Sequence, residues 1–179
     1  MKMADGGFRP AFNVQFATTV DTQVIAGVEV LNAGSDFGQM PPMIEQIEAR
    51  YEKSPGEYLV DGGFARTEDI ETCATEGITV YAPVMKPKSQ KRGVQEARKD
   101  DPPGVAQWRA RMETDPAKEI YKDRAATAEC VNAIARNRGL RQFLVRGLRK
   151  VRAVILWYAL AHNLMRRHAL RQAALAAAA

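Results

Sequence analysis

Residues 58–64 read YLVDGGF, an apolar run that ends in Asp61 and is followed by two glycines. The bulky residues up to Val60 predict a short buried strand, and Gly62 and Gly63 let the backbone turn away sharply at its end. We therefore expect the Asp61 carboxylate at the end of a strand, where open α/β sheets place their chemistry. An aspartate in that place is a candidate oxygen ligand for Mg²⁺. The alternative is a simple turn residue, because aspartate before glycine is also common in tight turns.

Three other short segments have the pattern of β-strands. They are residues 12–20, 24–31 and 78–81. The first two predict a β-hairpin, since a short turn separates them and apolar and polar residues alternate in the first with a period of two. Strands interleaved with helices predict an α/β fold, in which the four strands share one mixed sheet with flanking helices.

Prolines, capping residues and apolar periodicity predict four helices. They run from Pro41 to Tyr51, from Thr67 to Gly77, from about Pro116 to Asn137, and from about Leu148 into the alanine-rich end of the chain. Residues 83–104 combine basic residues with prolines and predict a surface connector, and the alanines at 173–179 predict a disordered tail. The expected division is a domain over residues 1–138 followed by a helical extension over residues 139–179.

The composition is that of an ordinary globular protein with a basic surface. Of the 179 residues 46% are hydrophobic and 26% charged, and the net charge is +5. This charge favours a polyanionic partner, although a solvated basic surface explains it equally well. Cys73 and Cys130 are the only cysteines, too few for a disulfide framework, so we expect a reducing compartment. No secretion signal is recognised at the start, and the longest apolar run, residues 153–161, is too short to span a bilayer.

The third predicted helix presents a row of functional groups. At about 100° per residue, Tyr121, Arg124, Glu129 and Arg136 fall within an arc of roughly 140°. Small residues surround Glu129, which allows close packing, and a glutamate on a packed face needs a partner or a metal ion. The alternative is a surface network of ion pairs between Glu129 and the two arginines.

The remaining candidates for chemistry are interpreted as structural residues. Trp108 and Trp157 are expected to be packing anchors rather than platforms for stacking bases. His162 is expected to be a polar residue inside the last helix, and Cys130 a buried thiol.

Two motifs resemble those of a known family. Residues 60–64, VDGGF, resemble the second-aspartate motif of bacterial insertion-sequence transposases of the DDE type. Residues 120–136, IYKDRAATAECVNAIAR, resemble the Tyr…Arg…Glu…Lys signature of these transposases, with Arg136 where lysine is usual. Residues 138–148, RGLRQFLVRGL, and residues 161–164, AHNL, resemble their C-terminal stretch. The predicted hairpin resembles the second and third strands of their RNase H-like core.

The resemblance implies an RNase H-like catalytic domain that cleaves and joins DNA strands in transposition. Asp61 and Glu129 would then be catalytic residues that hold Mg²⁺ or Mn²⁺, since carboxylates on a sheet and on a facing helix can hold two divalent ions about 4 Å apart. A further set of side chains would bind DNA phosphates beside the metal ions. These are Tyr121, Arg124, Arg136, Arg138 and Arg141. The implied partner is the DNA of transposon ends and target, at the nucleoid in the bacterial cytoplasm and without a membrane.

One departure from the family pattern concerns its first catalytic aspartate, which lies on the first strand of the sheet. The candidates here, Asp5, Asp21 and Asp36, occur in turn-like or glycine-rich sequence and are interpreted as simple turn residues. We therefore expect an incomplete sheet without its first strand, from a truncated or frameshifted reading frame. Such a fragment would bind metal weakly and be inactive alone, and its open sheet edge would favour pairing with a full-length transposase or a second copy.

Two other functions fit the same sequence. The first is a non-catalytic nucleic-acid-binding protein that uses the basic connector 83–104 and the arginine-rich segment 136–152. The second is an α/β protein whose charge only solvates its surface. Metal dependence separates a transposase from the first, and salt-dependent DNA binding separates both from the second.

Overall fold

The computed structural model describes residues 6–7, 11–84 and 98–178, except for the side chain of Glu129. In chain order the elements are β1 (Asn13–Thr18), β2 (Ile25–Leu31), α1 (Met40–Tyr51), β3 (Glu57–Leu59), α2 (Thr67–Thr75), β4 (Thr79–Tyr81), α3 (Pro103–Glu113), α4 (Asp115–Arg124), the π-helical segment (Ala125–Glu129), α5 (Cys130–Asn137) and α6 (Leu148–Ala177). The predicted mixture of strands and helices and the long C-terminal helix are therefore confirmed. Of the helices in these ranges, none combines the length and apolar character that crossing a membrane requires.

The chain divides into two compact units. The hairpin unit consists of Met1–Gly34 and Ala125–Ala179, and the aspartate unit consists of Ser35–Arg124. This division differs from the predicted one at residue 138, because the N-terminal hairpin shares an apolar core with α6. Sequence order alone did not indicate that the two ends of the chain share one core.

The four strands form two separate pairs in the described residues rather than the one mixed sheet that was predicted. β1 and β2 pair antiparallel, which confirms the hairpin, and β3 and β4 pair parallel. Each pair has its own apolar cover. β2 packs with α6 through Val28 and Ile155, whereas β4 packs with α3 through Val80 and Trp108. Because both pairs bury their apolar residues within their own unit, the prediction of a single sheet is wrong for the described strands.

Helix α3 was not predicted: residues 83–104 were interpreted as a connector, and no element was assigned between that connector and the helix expected from about Pro116. Pro103 lies in the first turn of α3, where the missing N–H of proline costs no hydrogen bond. Trp108 of α3 is buried and donates a hydrogen bond from Nε1 to the carbonyl oxygen of Ala82, at 3.0 Å. Trp108 is therefore the packing anchor that was predicted. Of the predicted connector, residues 85–97 lie outside the described residues.

The segment 161–164 of α6 binds the turn end of the hairpin. Asn163 accepts a hydrogen bond from the backbone N–H of Ile25 at 2.8 Å and donates one to its carbonyl oxygen at 2.9 Å. Nε2 of the buried His162 lies 2.9 Å from the carbonyl oxygen of Gln23. The polar residues of this AHNL segment therefore satisfy the backbone of the hairpin, and the interior position predicted for His162 is confirmed.

The C-terminal helix differs from the prediction in two respects. α6 continues through Ala177, so most of the segment 173–179 is helical rather than disordered, in keeping with the high helix propensity of alanine. Trp157 is 72% exposed. It is not a packing anchor, because Val151 and Ile155 occupy the buried face of the helix and Trp157 lies on another face.

Candidate functional site

Asp61 lies two residues after β3, in a turn that its own side chain stabilises. Its Oδ1 accepts a hydrogen bond from the backbone N–H of Gly63 at 2.9 Å, and its carbonyl oxygen accepts one from Phe64 at 3.1 Å. A Cβ atom at Gly63 would lie 3.0 Å from Asp61 Oδ1, closer than side chains normally pack. A side chain at position 63 would therefore have to push the carboxylate of Asp61 aside by a few tenths of an ångström. The predicted position of Asp61, after a strand and at the start of a glycine turn, is confirmed.

Arg124, at the end of α4, forms an ion pair with Asp61. Its Nη2 donates to Asp61 Oδ2 at 3.1 Å, and the two side chains are 24% and 42% exposed. The fold thus brings together two residues that are 63 positions apart and that the sequence assigned to metal and DNA phosphate binding. Each oxygen of Asp61 therefore accepts a hydrogen bond, Oδ1 from Gly63 and Oδ2 from Arg124.

Tyr121 lies one turn before Arg124 on α4 and shares this environment. Burial raises the pKa of the Tyr121 phenol above its ordinary value, the guanidinium of Arg124 lowers that pKa, and the carboxylate of Asp61 raises it. The net effect is upward, so the phenol keeps its proton at neutral pH. It is therefore a hydrogen-bond donor beside the Asp61–Arg124 pair, which suits a phosphate oxygen.

Asp36 is a member of this site that the sequence analysis assigned to a simple turn. A Cβ atom at Gly63 would lie 3.5 Å from Asp36 Oδ2 as well as 3.0 Å from Asp61 Oδ1, so both carboxylates lie against the same glycine. Asp36 also has a turn role, because its carbonyl oxygen accepts a hydrogen bond from Gln39. No signal in the local sequence distinguishes this aspartate from Asp21, which does lie in the hairpin turn.

The fit of this site to a divalent metal ion rests on its oxygen donors. Carboxylates such as Asp36 and Asp61 are the ligands that Mg²⁺ and Mn²⁺ prefer. The guanidinium of Arg124 already forms an ion pair with Asp61. It would therefore compete with a metal ion for this carboxylate. Nowhere in the described residues do three or more His, Cys, Asp or Glu side chains converge as a metal site would require. The donor chemistry therefore fits one hard cation, which would have to displace Arg124 from Asp61.

Glu129 is the last residue of the π-helical segment in the hairpin unit. This segment changes the predicted third helix, which is π-helical rather than α-helical between Arg124 and Cys130. The arc of roughly 140° assumed a uniform α-helical step of about 100°, and a π-helical turn contains more residues than an α-helical one. The assumption of a uniform α-helical step from Tyr121 to Arg136 therefore does not hold. π-helical turns inside helices are frequent at functional sites.

Arg136, Arg138 and Arg141 lie around the C-terminal end of α5, and all three are exposed. The Nε of Arg136 donates to the carbonyl oxygen of Asn132 at 3.3 Å, and the Nε of Arg141 donates to that of Arg136 at 3.1 Å. Gly139, with φ of 91°, ends the helix as predicted. Cations at a helix C-terminus are electrostatically favourable, so these arginines have a local structural role as well as an exposed charge.

Comparison with known families places a match on the second half of the chain. Residues 85–168 match the family model described as a transposase DDE domain. The match includes Tyr121, Arg124, Glu129 and the exposed arginines, and it begins after Asp61. It confirms the resemblance to DDE-type transposases that the sequence motifs indicated. No curated protein and no solved structure matches the chain.

Proposed function

We propose that this chain, in which residues 85–168 match the transposase DDE domain, acts on DNA in transposition, with Asp61 and Glu129 as its catalytic carboxylates. The observation that carries the proposal is the ion pair of Arg124 with Asp61, at 3.1 Å. Arg124 lies inside the matched segment and Asp61 lies outside it. Their contact supports the proposal that Asp61 belongs to the same site as Arg124, a residue of the family signature.

The proposed chemistry is phosphoryl transfer between DNA strands. A divalent ion such as Mg²⁺ or Mn²⁺, when bound, would activate the attacking oxygen and stabilise the leaving oxygen of a scissile phosphate. Asp61 would contribute oxygen ligands, and Arg124 would move from the carboxylate to a DNA phosphate when the metal ion binds. Tyr121 would donate a hydrogen bond from its phenolic O–H to another phosphate oxygen.

An RNase H-like ancestry of the fold belongs to the same proposal. The antiparallel hairpin and the parallel strand that leads to Asp61 support it. The described strands also leave the outer edges of both pairs without a strand partner. Such edges favour strand addition, so we propose a second copy of the chain or a longer transposase as a further partner.

DNA binding is expected to depend steeply on salt and little on sequence. We expect the affinity for two unrelated duplexes to fall strongly between roughly 50 and 200 mM salt, because binding to phosphates releases counterions. Replacing Arg136 and Arg138 together with alanine should weaken binding to both duplexes alike and reduce the salt slope by about 2. The measurement is a titration by fluorescence anisotropy at several salt concentrations.

The matched control for this titration removes two exposed cations from the aspartate unit, through Arg50→Ala and Lys53→Ala. The control protein should bind both duplexes with the wild-type salt slope. An equal loss of affinity in the control would attribute the effect to net charge alone. A wild-type chain that binds no duplex at low salt would contradict the proposal.

The isolated chain is expected to cleave no DNA. Two-metal catalysis needs several carboxylates that hold both ions, and in the part of the chain that the structure describes no three acidic, histidine or cysteine side chains converge. Incubation of supercoiled plasmid with the chain and Mg²⁺ or Mn²⁺ should therefore give no nicked product. Metal-dependent nicking that disappears in Glu129→Ala would show that the chain is active by itself.

A second candidate function is non-catalytic binding of nucleic acid. The exposure of Arg136, Arg138 and Arg141 favours it, because these charges can reach a phosphate backbone without any metal ion. This function predicts the same salt dependence as the first. It differs in that divalent ions and the Asp61 carboxylate should have no effect on any property of the complex.

A further inference from the structure

The face of α6 that points away from the hairpin has an apolar centre that no described residue covers. At about 100° per residue, its members fall within an arc of about 100°. They are Ala153, Leu156, Trp157, Leu160 and Leu164, all exposed. We call this set the α6 stripe. The residues that pack on the hairpin, such as Val151 and Ile155, occupy the opposite side of the helix.

The two ends of the α6 stripe are cationic. Arg149 precedes it, Arg167 and Arg171 follow it, and all three fall within the same arc and are exposed. Helix α6 contains no aspartate or glutamate along its 30 residues. The face therefore alternates, along about 33 Å between Arg149 and Arg171, from positive to apolar and back to positive.

The spacing of this face is that of a helix-packing seam. Ala153, Leu156 and Leu160 follow one another at intervals of three and four residues, which places them in one row along the helix. Such a row is complementary to a second amphipathic helix. An exposed Trp beside the row adds a large contact area, as aromatic residues do at interfaces.

The arginines at the two ends of the α6 stripe determine which kind of helix can bind there. A second copy of α6 would bring Arg149 against Arg171 if antiparallel, or like residues together if parallel, and either arrangement places cation against cation. The longest segment outside the described residues does not suit the face either, because residues 85–97 contain several lysines and arginines and only one acid, Glu96. The complementary occupant has acids where α6 has arginines.

We propose that the α6 stripe docks an amphipathic helix of another protein, one with an apolar row flanked at both ends by aspartate or glutamate. The apolar row packs on Leu156, Trp157 and Leu160, and the acidic ends pair with Arg149 at one end and with Arg167 and Arg171 at the other. This surface does not involve Asp61 or Arg124. The proposal therefore stands independently of the chemistry proposed for the site.

The test uses a synthetic helical peptide of about 24 residues, which spans about 36 Å, with a leucine row at its centre and glutamates at both ends. A matched peptide has lysines in place of the glutamates. The first peptide should bind at least about tenfold more tightly than the second. It should also shift the fluorescence emission of the exposed Trp157 to shorter wavelength, whereas Trp108 is already buried and should not respond.

Variants of the chain locate the binding surface. Leu160→Ser should abolish binding of the glutamate peptide. Met165→Ser, which removes an exposed apolar side chain from another face of α6, should leave binding unchanged. Exchanging Arg167 and Arg171 for glutamate should reverse the preference between the two peptides.

Three outcomes would overturn the proposal. The first is equal affinity for the glutamate and lysine peptides. The second is a dimer of the chain, seen by sedimentation, that Leu160→Ser dissociates, since the occupant would then be a second copy. The third is an emission shift of Trp157 with anionic lipid vesicles but not with the glutamate peptide, which would assign the face to a membrane surface.

Discussion

Replacing Asp101 with alanine is expected to lower the free energy of unfolding by about 3 to 5 kcal/mol. Asp101 Oδ2 lies 2.7 Å from Nε of Arg109 on α3, and the two side chains are only 10% and 7% exposed. The same oxygen accepts a hydrogen bond from the backbone N–H of Arg98 at 2.9 Å. Removing the carboxylate leaves the Arg109 charge buried without its ion-pair partner, which is the costly way to break such a pair.

Urea denaturation with a matched pair of controls tests this expectation. The double variant Asp101→Ala and Arg109→Met should recover much of the lost stability, because it removes the buried charge together with its partner. Glu119→Ala breaks the exposed ion pair with Lys122 and should change the stability far less, because solvent screens such a pair. A loss below about 1 kcal/mol in Asp101→Ala itself would show that water reaches the pair.

Replacing Gly104 with alanine is expected to destabilise the aspartate unit by about 2 to 3 kcal/mol. A Cβ atom at Gly104 would lie 2.5 Å from the Cβ of Ala74 and 2.7 Å from Oε2 of Glu71. Glu71 cannot move away freely, because the same oxygen accepts a hydrogen bond from Val105 at the start of α3. Helices α2 and α3 would have to separate, since one of the contacts is to a side chain with no freedom to rotate away.

Gly56→Ala is the matched control for this variant, because a Cβ atom there meets nothing within 4 Å. The control should be neutral or slightly stabilising, since alanine reduces the entropy of the unfolded chain. Combining Gly104→Ala with Ala74→Gly should restore part of the stability by relieving the closest contact. Thermal denaturation of the four proteins measures these differences. A Gly104→Ala protein as stable as Gly56→Ala would contradict the close approach of α2 and α3.

The parts of the fold that follow local rules were predictable from the sequence. The hairpin, the prolines in the first turn of α1, the turn after Asp61 and the end of α5 before Gly139 all agree with the structure. Each depends on residues close together in the chain, where periodicity, proline and glycine act directly.

The parts that depend on long-range packing were not predictable in the same way. The pairing of strands into two sheets follows from which helices cover them, and the cover of the hairpin lies more than 100 residues away on α6. Helix α3 was obscured by the prolines and charges around it. The π-helical segment before Cys130 has no sequence signature, because small residues such as alanine fit an α-helix equally well.

In the candidate site, too, the features set by local sequence were predicted and those set by tertiary contacts were not. Asp61 was identified from its place after an apolar run, and its partner Arg124 from a family motif. The approach of Asp36 to Gly63 was missed, because a turn aspartate has the same local sequence whether or not the chain folds it against another carboxylate. Contacts of this kind need the tertiary structure.

The most direct test of the proposed catalytic role of Asp61 is a calorimetric titration of the chain with Mn²⁺. Wild-type protein should bind Mn²⁺ weakly, because Arg124 competes for Asp61 Oδ2 at 3.1 Å. Arg124→Ala should bind Mn²⁺ more tightly, by about tenfold or more, since removing a competing cation frees the carboxylate. Asp61→Asn should lose the binding, and Lys53→Ala, an exposed cation elsewhere in the aspartate unit, should behave as the wild type. Equal Mn²⁺ affinity in all four proteins would contradict the assignment of Asp61 as a metal ligand.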